Sequence, residues 1–161
     1  MKKTVEARFW EKVDKTGECW IWTGACMPTG HGAFWHEGKM VYPHRLSYAW
    51  INGEIPDGMY VGHRCHTRNC VRPEHLRLVT NAQNLQNRRG ANSNSTTGVR
   101  GVSWDKNRRK YQAYAKLSGK KYHAGSFDTL EEAEAAVIAK RREIFTHDDY
   151  SEWAASDQSM L

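Results

Sequence analysis

His63-Arg64-Cys65-His66-Thr67-Arg68-Asn69-Cys70-Val71-Arg72-Pro73-Glu74-His75 packs two thiols and three imidazoles into thirteen residues, and Asn84 follows nine residues later on a short helical run. Cys65, Cys70 and His75 stand at five-residue steps, a spacing that suits soft ligands closing a loop around zinc. His63 lies two residues before the first thiol, outside that ligand rhythm, and is available for other chemistry. The combination points to a metal centre with an uncommitted imidazole beside it.

A structural zinc takes four ligands in tetrahedral geometry, so one more must come from elsewhere in the chain. Cys19 and Cys26 are the other thiols. Glu18-Cys19-Trp20-Ile21-Trp22-Thr23-Gly24 alternates and is rich in aromatic residues, which reads as a strand with Cys19 at its start. Cys26 lies in a Gly/Pro-containing loop. Sites built on rigid elements are the more precise, which favours Cys19 over Cys26.

Around this centre the chain reads as short elements. Val5, Phe9, Trp10 and Val13 share one helical face, ended by Gly17. Short strands are expected around Ala33-Phe34-Trp35 and Lys39-Met40-Val41-Tyr42. A helix is expected over His44–Ile51, stopped by Asn52-Gly53, and a strand over Met59-Tyr60-Val61 delivers His63. Thr80 is placed to cap a helix reaching about Asn87. Beyond it, residues 89–97 are small, polar and without periodicity, the composition of a linker. Three strand signals follow, Arg100–Trp104, Lys110–Lys116 and Lys120–Ser126. An amphipathic helix then begins at Thr129 with a capping-box pattern, Thr129-Leu130-Glu131-Glu132. The expected organisation is a nuclease domain over 1–88, a linker over 89–97, a second domain over 98–147 and a disordered acidic tail over 148–161.

Charge names the partner class. The net charge is +6 and the sequence pI about 9.2, so an acidic partner is expected. Between Arg88 and Lys121 ten Lys or Arg residues face a single acid, Asp105, whereas a merely solvated face would mix signs. Strand alternation puts Tyr111, Ala113 and Ala115 on one face and Lys110, Gln112, Tyr114 and Lys116 on the other; Lys121 and His123 oppose Tyr122 and Ala124. The outer face is then cationic, amide and aromatic, suited to phosphates and base edges of a duplex. Four Cys without a signal peptide point to a reducing compartment and metal ligation rather than disulfides. No apolar run approaches the length of a membrane span. A cytoplasmic protein is expected, monomeric or homodimeric, with double-stranded DNA as partner and no membrane or protein partner evident.

His63-x-Cys65-x4-Cys70-x4-His75-x8-Asn84 resembles the His-Cys box of the ββα-metal (His-Me finger) nucleases, a branch of the HNH endonucleases. Cys19-Trp-x-Trp-x-Gly and His44-Arg-Leu-Ser-Tyr are similar to segments of the phage and intron proteins of that group, and the resemblance covers about residues 8–88. It implies that His63 is the general base activating a water and that Asn84 holds one Mg2+, or another divalent ion, at the scissile phosphate. Cys19, Cys65, Cys70 and His75 would form a structural zinc site. Arg72 departs from the Asn usual before the Pro and removes no proposed ligand. Arg45 either clamps the phosphate or braces the fold through a carboxylate. Arg64, His66 and Arg68 are solvated or contact DNA backbone, and His31 and His36 carry no usable signal.

The basic stretch has its own resemblance. Gly98-Val-Arg100-Gly101-Val102-Ser-Trp104, Tyr111-x-Ala113 and Gly125-x-Phe127-Asp128-Thr129-x-Glu-Glu-Ala133 are similar to the plant ethylene-response-factor (Apetala-type) DNA-binding domain, found also in phage homing endonucleases. By position, that family's sheet contacts fall on Arg100, Ser103, Tyr114, Lys116, Lys121 and His123. Arg108 and Arg109, in the first turn, are phosphate contacts, and Arg88 and Arg89 lie on the arm along DNA. Several arginines of the plant pattern are absent, so its sequence preference does not carry over.

The expected fold is therefore α+β: a zinc-stapled ββα-metal nuclease domain plus a small three-stranded antiparallel sheet packed on one helix. The expected function is a homing-type DNA endonuclease of phage or mobile-intron origin, cutting one or both strands of DNA, in the host cytoplasm if phage-encoded. The alternatives are a non-catalytic zinc-stapled DNA-binding regulator, and a hydrolase whose catalytic metal sits at the thiol site; four filled protein ligands leave that last site no open position.

Overall fold

Trp22 is 1% exposed and organises the first half of the chain. Its ring meets Phe9 at 5.1 Å and Phe34 at 5.5 Å, and Phe9 in turn meets Trp50 edge-on at 4.9 Å, so a small unit obtains a core from a few large rings. Trp22 Nε1 donates to Ala25 O at 2.9 Å, which satisfies its polar end. Gly24 and Gly32 lie flat against the indole, where an added Cβ would come within 2.8 and 2.7 Å of ring atoms.

The computed structural model describes residues 3–149, which divide into two units between Asn81 and Ala82. In the first unit, helix α1 (Val5–Trp10) is capped by Thr4, whose Oγ1 accepts from Ala7 N. Strand β1 (Val13–Asp14) pairs antiparallel with β2 (Ile21–Trp22). Hairpin β3 (Phe34–His36) and β4 (Lys39–Val41) turns at Glu37 and Gly38, both at positive φ. Helix α2 (Pro43–Asn52) starts with Pro at its first position and ends at Gly53, φ 91°, whose N–H bonds Ala49 O. Strand β5 (Tyr60–His63) pairs antiparallel with β6 (Leu76–Val79), His63 lying opposite Leu76, and a 3-10 turn at Pro73–His75 precedes β6. Helix α3 (Asn81–Gln86) begins at the last residue of this unit and otherwise belongs to the second.

In the second unit, β7 (Val102–Asp105), β8 (Lys110–Leu117) and β9 (Lys120–Phe127) form a three-stranded antiparallel sheet in that order, followed by α4 (Leu130–Ile144). Val102, Ala113, Ala133 and Val137 make its core; two alanines, Ala113 and Ala133, are fully buried where helix meets sheet. Gly101 is required there: at φ +82°, a Cβ would lie 2.4 Å from Tyr114 O. Thr129 and Glu132 complete the reciprocal capping box. Helices and small sheets are thus mixed, an α+β architecture.

Several expectations are corrected. Helix α1 ends at Trp10 rather than Gly17, because Val13 is recruited into β1 by pairing with Trp22. The strand expected from Glu18 shrinks to Ile21–Trp22, leaving Cys19 before it. Strand β6 was not foreseen. Contacts divide the chain between Asn81 and Ala82, and residues 89–97 fall in the second unit. There the Thr97 hydroxyl donates to Val102 O at 2.8 Å and Arg100 holds the backbone of residues 85–88. The tail read as disordered starts with Asp148 buried and Asp149 N bonded to Asn87 Oδ1; residues 150–161 lie outside the described residues.

Candidate active site and metal centre

Backbone pairing brings the four candidate ligands together from distant parts of the chain. Trp22 N donates to Asn69 O and Val71 N to Trp20 O, both at 2.8 Å, and an isolated antiparallel bridge joins Ile21 to Cys70. Arg72 Nη1 donates to Glu18 O at 2.7 Å while its guanidinium lies over Trp20. These contacts seat Cys19 beside Cys70. On the other side Arg64 N donates to His75 O, closing the loop that carries Cys65, and His66 turns that loop at φ 56°.

The ligand atoms of Cys19, Cys65, Cys70 and His75 all lie within 4.8 Å of one another, a set able to hold a metal ion. Cys19 Sγ and Cys70 Sγ are 3.5 and 3.6 Å from His75 Nδ1. Tetrahedral zinc with ordinary bond lengths places sulfur and nitrogen ligands about 3.5 Å apart, so donor chemistry and spacing both fit zinc. A hydrogen bond from the Cys70 thiol favours the Cys65 thiolate and lowers its pKa, while that bond and burial push the Cys70 thiol up. A cation satisfies such a set by replacing the shared protons. Cys26 is exposed, away from the cluster, with its thiol 3.7 Å from Gly24 O. Cys19, and not Cys26, clusters with Cys65, Cys70 and His75, its position coming from pairing with residues 69–72 and not from a strand of its own.

His63 ends β5 and shares the Cys70 residue with the metal loop. Its Nε2 lies 3.0 Å from Cys70 O. A carbonyl only accepts, so the proton sits on Nε2 and Nδ1 is the basic nitrogen. Burial pushes the His63 pKa below 6.5, against the raising effect of the Cys70 bond, so the imidazole is neutral near pH 7.

Two further imidazoles surround it. The ring centroids of His44 and His63 are 4.7 Å apart, and His31 lies 5.4 Å from His44 and 6.0 Å from His63. His44 is 7% exposed, and burial with nearby His63, His31 and Arg45 lowers its pKa to about 2. Its Nδ1 has no hydrogen-bond partner among the described residues. Burial and Arg68 lower His31 likewise. Sequence reading assigned His31 no signal and left His44 open; neither has a characteristic spacing to His63, and only the fold gathers them. Arg45 Nη1 lies 3.5 Å from Met59 O, so among the described residues the brace it makes is to a backbone carbonyl.

In the second unit, Ser103, Lys116, Lys121 and His123 are exposed and Tyr114 is half-buried, with Lys121 Nζ 4.6 Å from the Tyr114 ring centroid. Lys110 pairs with Asp128 at 3.1 Å and Gln112 donates to Asp105 at 2.5 Å, so these two are engaged within the unit. Arg88, Arg89, Arg108 and Arg109 are exposed. A groove of about 640 Å³ separates Ser103, Tyr114 and Lys116 from Arg88 and residues 90–96. The Arg100 guanidinium donates to the Leu85, Gln86 and Arg88 carbonyls. Asn84 is exposed on α3, on the far side of the unit division from His63, and its link to His63 remains one of chain spacing.

Residues 41–86 match the HNH endonuclease family, and this stretch, which holds His44, Arg45, His63, Cys65, Cys70, His75 and Asn84, is an HNH endonuclease domain. The chain belongs to the same family as Protein 3.8 of Escherichia phage T7, being 33% identical over 104 residues that cover 63% of this chain and 84% of that protein. It is also 38% identical over 69 residues to Protein 7.7 of the same phage, 43% of this chain and 53% of that protein, so it spans about half the length of that relative. No solved structure matches. No helix among the described residues is long and apolar enough to cross a membrane.

Proposed function

We propose that the chain is a DNA endonuclease of homing type, with a zinc-stapled ββα-metal site and a reader of ethylene-response-factor type. The observation that carries this reading is the 3.0 Å contact from His63 Nε2 to Cys70 O, which selects Nδ1 as the base. His63 Nδ1 takes a proton from a water; the water oxygen bonds to phosphorus as the bond from phosphorus to the leaving sugar oxygen breaks. A neutral imidazole with a depressed pKa is in the correct form for this near pH 7.

Bound Mg2+ supplies stabilisation of the charge that develops on the phosphate and leaving oxygen. Asn84 offers a hard carboxamide oxygen, and Mg2+ takes most of its remaining ligands from water and phosphate, so one protein ligand suits it. Zinc at Cys19, Cys65, Cys70 and His75 holds the loop whose Cys70 carbonyl orients the base. Ser103, Tyr114, Lys116, Lys121 and His123, with Arg88, Arg89, Arg108 and Arg109, contact the duplex. Two modules on one chain raise the effective concentration of the nuclease at its site. Relatives from a phage support a place in a host cytoplasm.

The test is zinc-loaded protein on supercoiled plasmids of varied sequence, with Mg2+ or with EDTA. Nicked or linear product only with Mg2+ supports the reading. DNA binding with no cleavage of any plasmid would overturn it in favour of a non-catalytic regulator.

A further inference from the structure

Arg100 lies at the start of the sheet unit, yet its side chain is spent on a helix end. Nη1 donates to Gln86 O at 2.9 Å and Arg88 O at 2.5 Å, and Nη2 donates to Leu85 O at 3.0 Å. These are the last carbonyls of α3 and its exit, which have no partner inside the helix. A planar guanidinium with five fixed donors can hold several such acceptors at once.

The clamp is itself fixed from two sides. Arg141 Nη2 donates to Arg100 O at 3.0 Å, and the Arg100 guanidinium lies 5.7 Å from the Phe145 ring centroid. The buried Gln86 carboxamide oxygen in turn accepts from Thr146 N at 3.0 Å and His147 N at 3.2 Å. A six-residue helix is far too short to persist in water unaided. The end of α3 is therefore held by β7's approach and by the chain leaving α4, all within the second unit.

We propose that Arg100 is a positioning residue for the catalytic cation: by fixing the last turn of α3 it aims the Asn84 carboxamide, one residue before the first clamped carbonyl. The inference rests on the reading of Asn84 as the Mg2+ ligand. Arg100 touches neither cation nor DNA; it acts through the backbone of residues 85–88. A partner that orients a ligand governs metal affinity, and its loss typically weakens binding by about 10–100-fold.

Full-length Arg100→Met, Arg100→Lys, Gln86→Met and Asn84→Ala are compared with wild type by three measurements. These are amide hydrogen exchange over residues 82–88, DNA Kd in EDTA, and the Mg2+ concentration for half-maximal plasmid cleavage. Arg100→Met and Gln86→Met are expected to speed exchange and to raise half-saturating Mg2+ by roughly 10-fold or more. Arg100→Lys, keeping a donor, falls between, and DNA Kd in EDTA stays within about twofold of wild type because no phosphate contact is lost. Faster exchange with unchanged Mg2+ dependence would overturn the positioning role, and unchanged exchange would overturn the clamp. A wild-type Mg2+ response in Asn84→Ala would overturn the ligand reading itself, a distinct result because the exchange signature of Arg100→Met would persist. Should Arg100→Met not fold, Gln86→Met and Arg100→Lys carry the same comparison.

Discussion

Cys70 faces His63 and His75 at once: its carbonyl oxygen lies 3.0 Å from His63 Nε2 while its sulfur lies 3.6 Å from His75 Nδ1. One residue thereby joins the orientation of the proposed base to the integrity of the candidate metal loop. On the proposed reading zinc and catalysis fail together, although the base is not itself a zinc ligand.

That coupling is tested by ligand replacement. Native mass spectrometry should show one zinc per chain in wild type and in Cys26→Ser, and none in Cys19→Ser or Cys70→Ser. Structural zinc in small domains contributes on the order of 10 kcal/mol of binding free energy to folding, so zinc-free protein should lose cooperative unfolding in the first unit. Zinc lost from Cys26→Ser and kept by Cys19→Ser would reverse the assignment of the fourth ligand.

The loop was legible in the sequence because its ligands are local: Cys65, Cys70 and His75 carry their spacing with them. Likewise the alternation of Lys110–Lys116 placed Ala113 and Ala115 inward, where they are 0% and 3% exposed. What failed depended on long-range pairing. Val13 continued a helical stripe until Trp22 claimed it for a strand, and Leu76–Val79 had no signal apart from its partner Tyr60–His63. Arg100 occupies a sheet-contact position by alignment, but the carbonyls it meets come from α3, fifteen residues away along the chain at Leu85. The His31–His44–His63 group is likewise a product of folding.

Burial of His44 sets an acid dependence of stability. Its folded pKa is lowered to about 2, against about 6.5 in the unfolded chain. Between these values the unfolded state binds a proton that the folded state refuses, so stability is retained above pH 6.5 and is lost as pH falls below it. The loss from this one group approaches ~1.4 kcal/mol per pH unit. Urea unfolding at pH 7.5, 6.5 and 5.5 with zinc in excess should give a shallower acid slope for His44→Gln than for wild type. Equal slopes would show that His44 does not carry the effect.

The sheet face is tested by salt. Lys116→Ala and Lys121→Ala, both at exposed positions, should each weaken DNA binding across sequences and reduce the slope of log K against log salt by about 1. Lys110→Ala, whose charge is paired with Asp128, should change the slope less. A slope unchanged in the Lys116→Ala, Lys121→Ala double variant would remove this face from the DNA interface.

Trp22 is the residue on which the first core depends, with Phe9 and Phe34 packed on its ring. Trp22→Ala should destabilise that unit by about 3–5 kcal/mol, enough to prevent folding of a small unit, and should reduce zinc retention with it. Thermal unfolding of zinc-loaded protein measures this; a Tm within a few degrees of wild type would place the core elsewhere.

The most direct test of the account is the rate of plasmid nicking by zinc-loaded His63→Ala beside wild type, in Mg2+, with zinc content and DNA Kd in EDTA measured on the same samples. The expected result is a loss of about 10²–10⁴ in cleavage rate, the usual worth of a positioned base, with zinc content and DNA affinity retained. Cleavage by His63→Ala at the wild-type rate would contradict the assignment of His63 as the base.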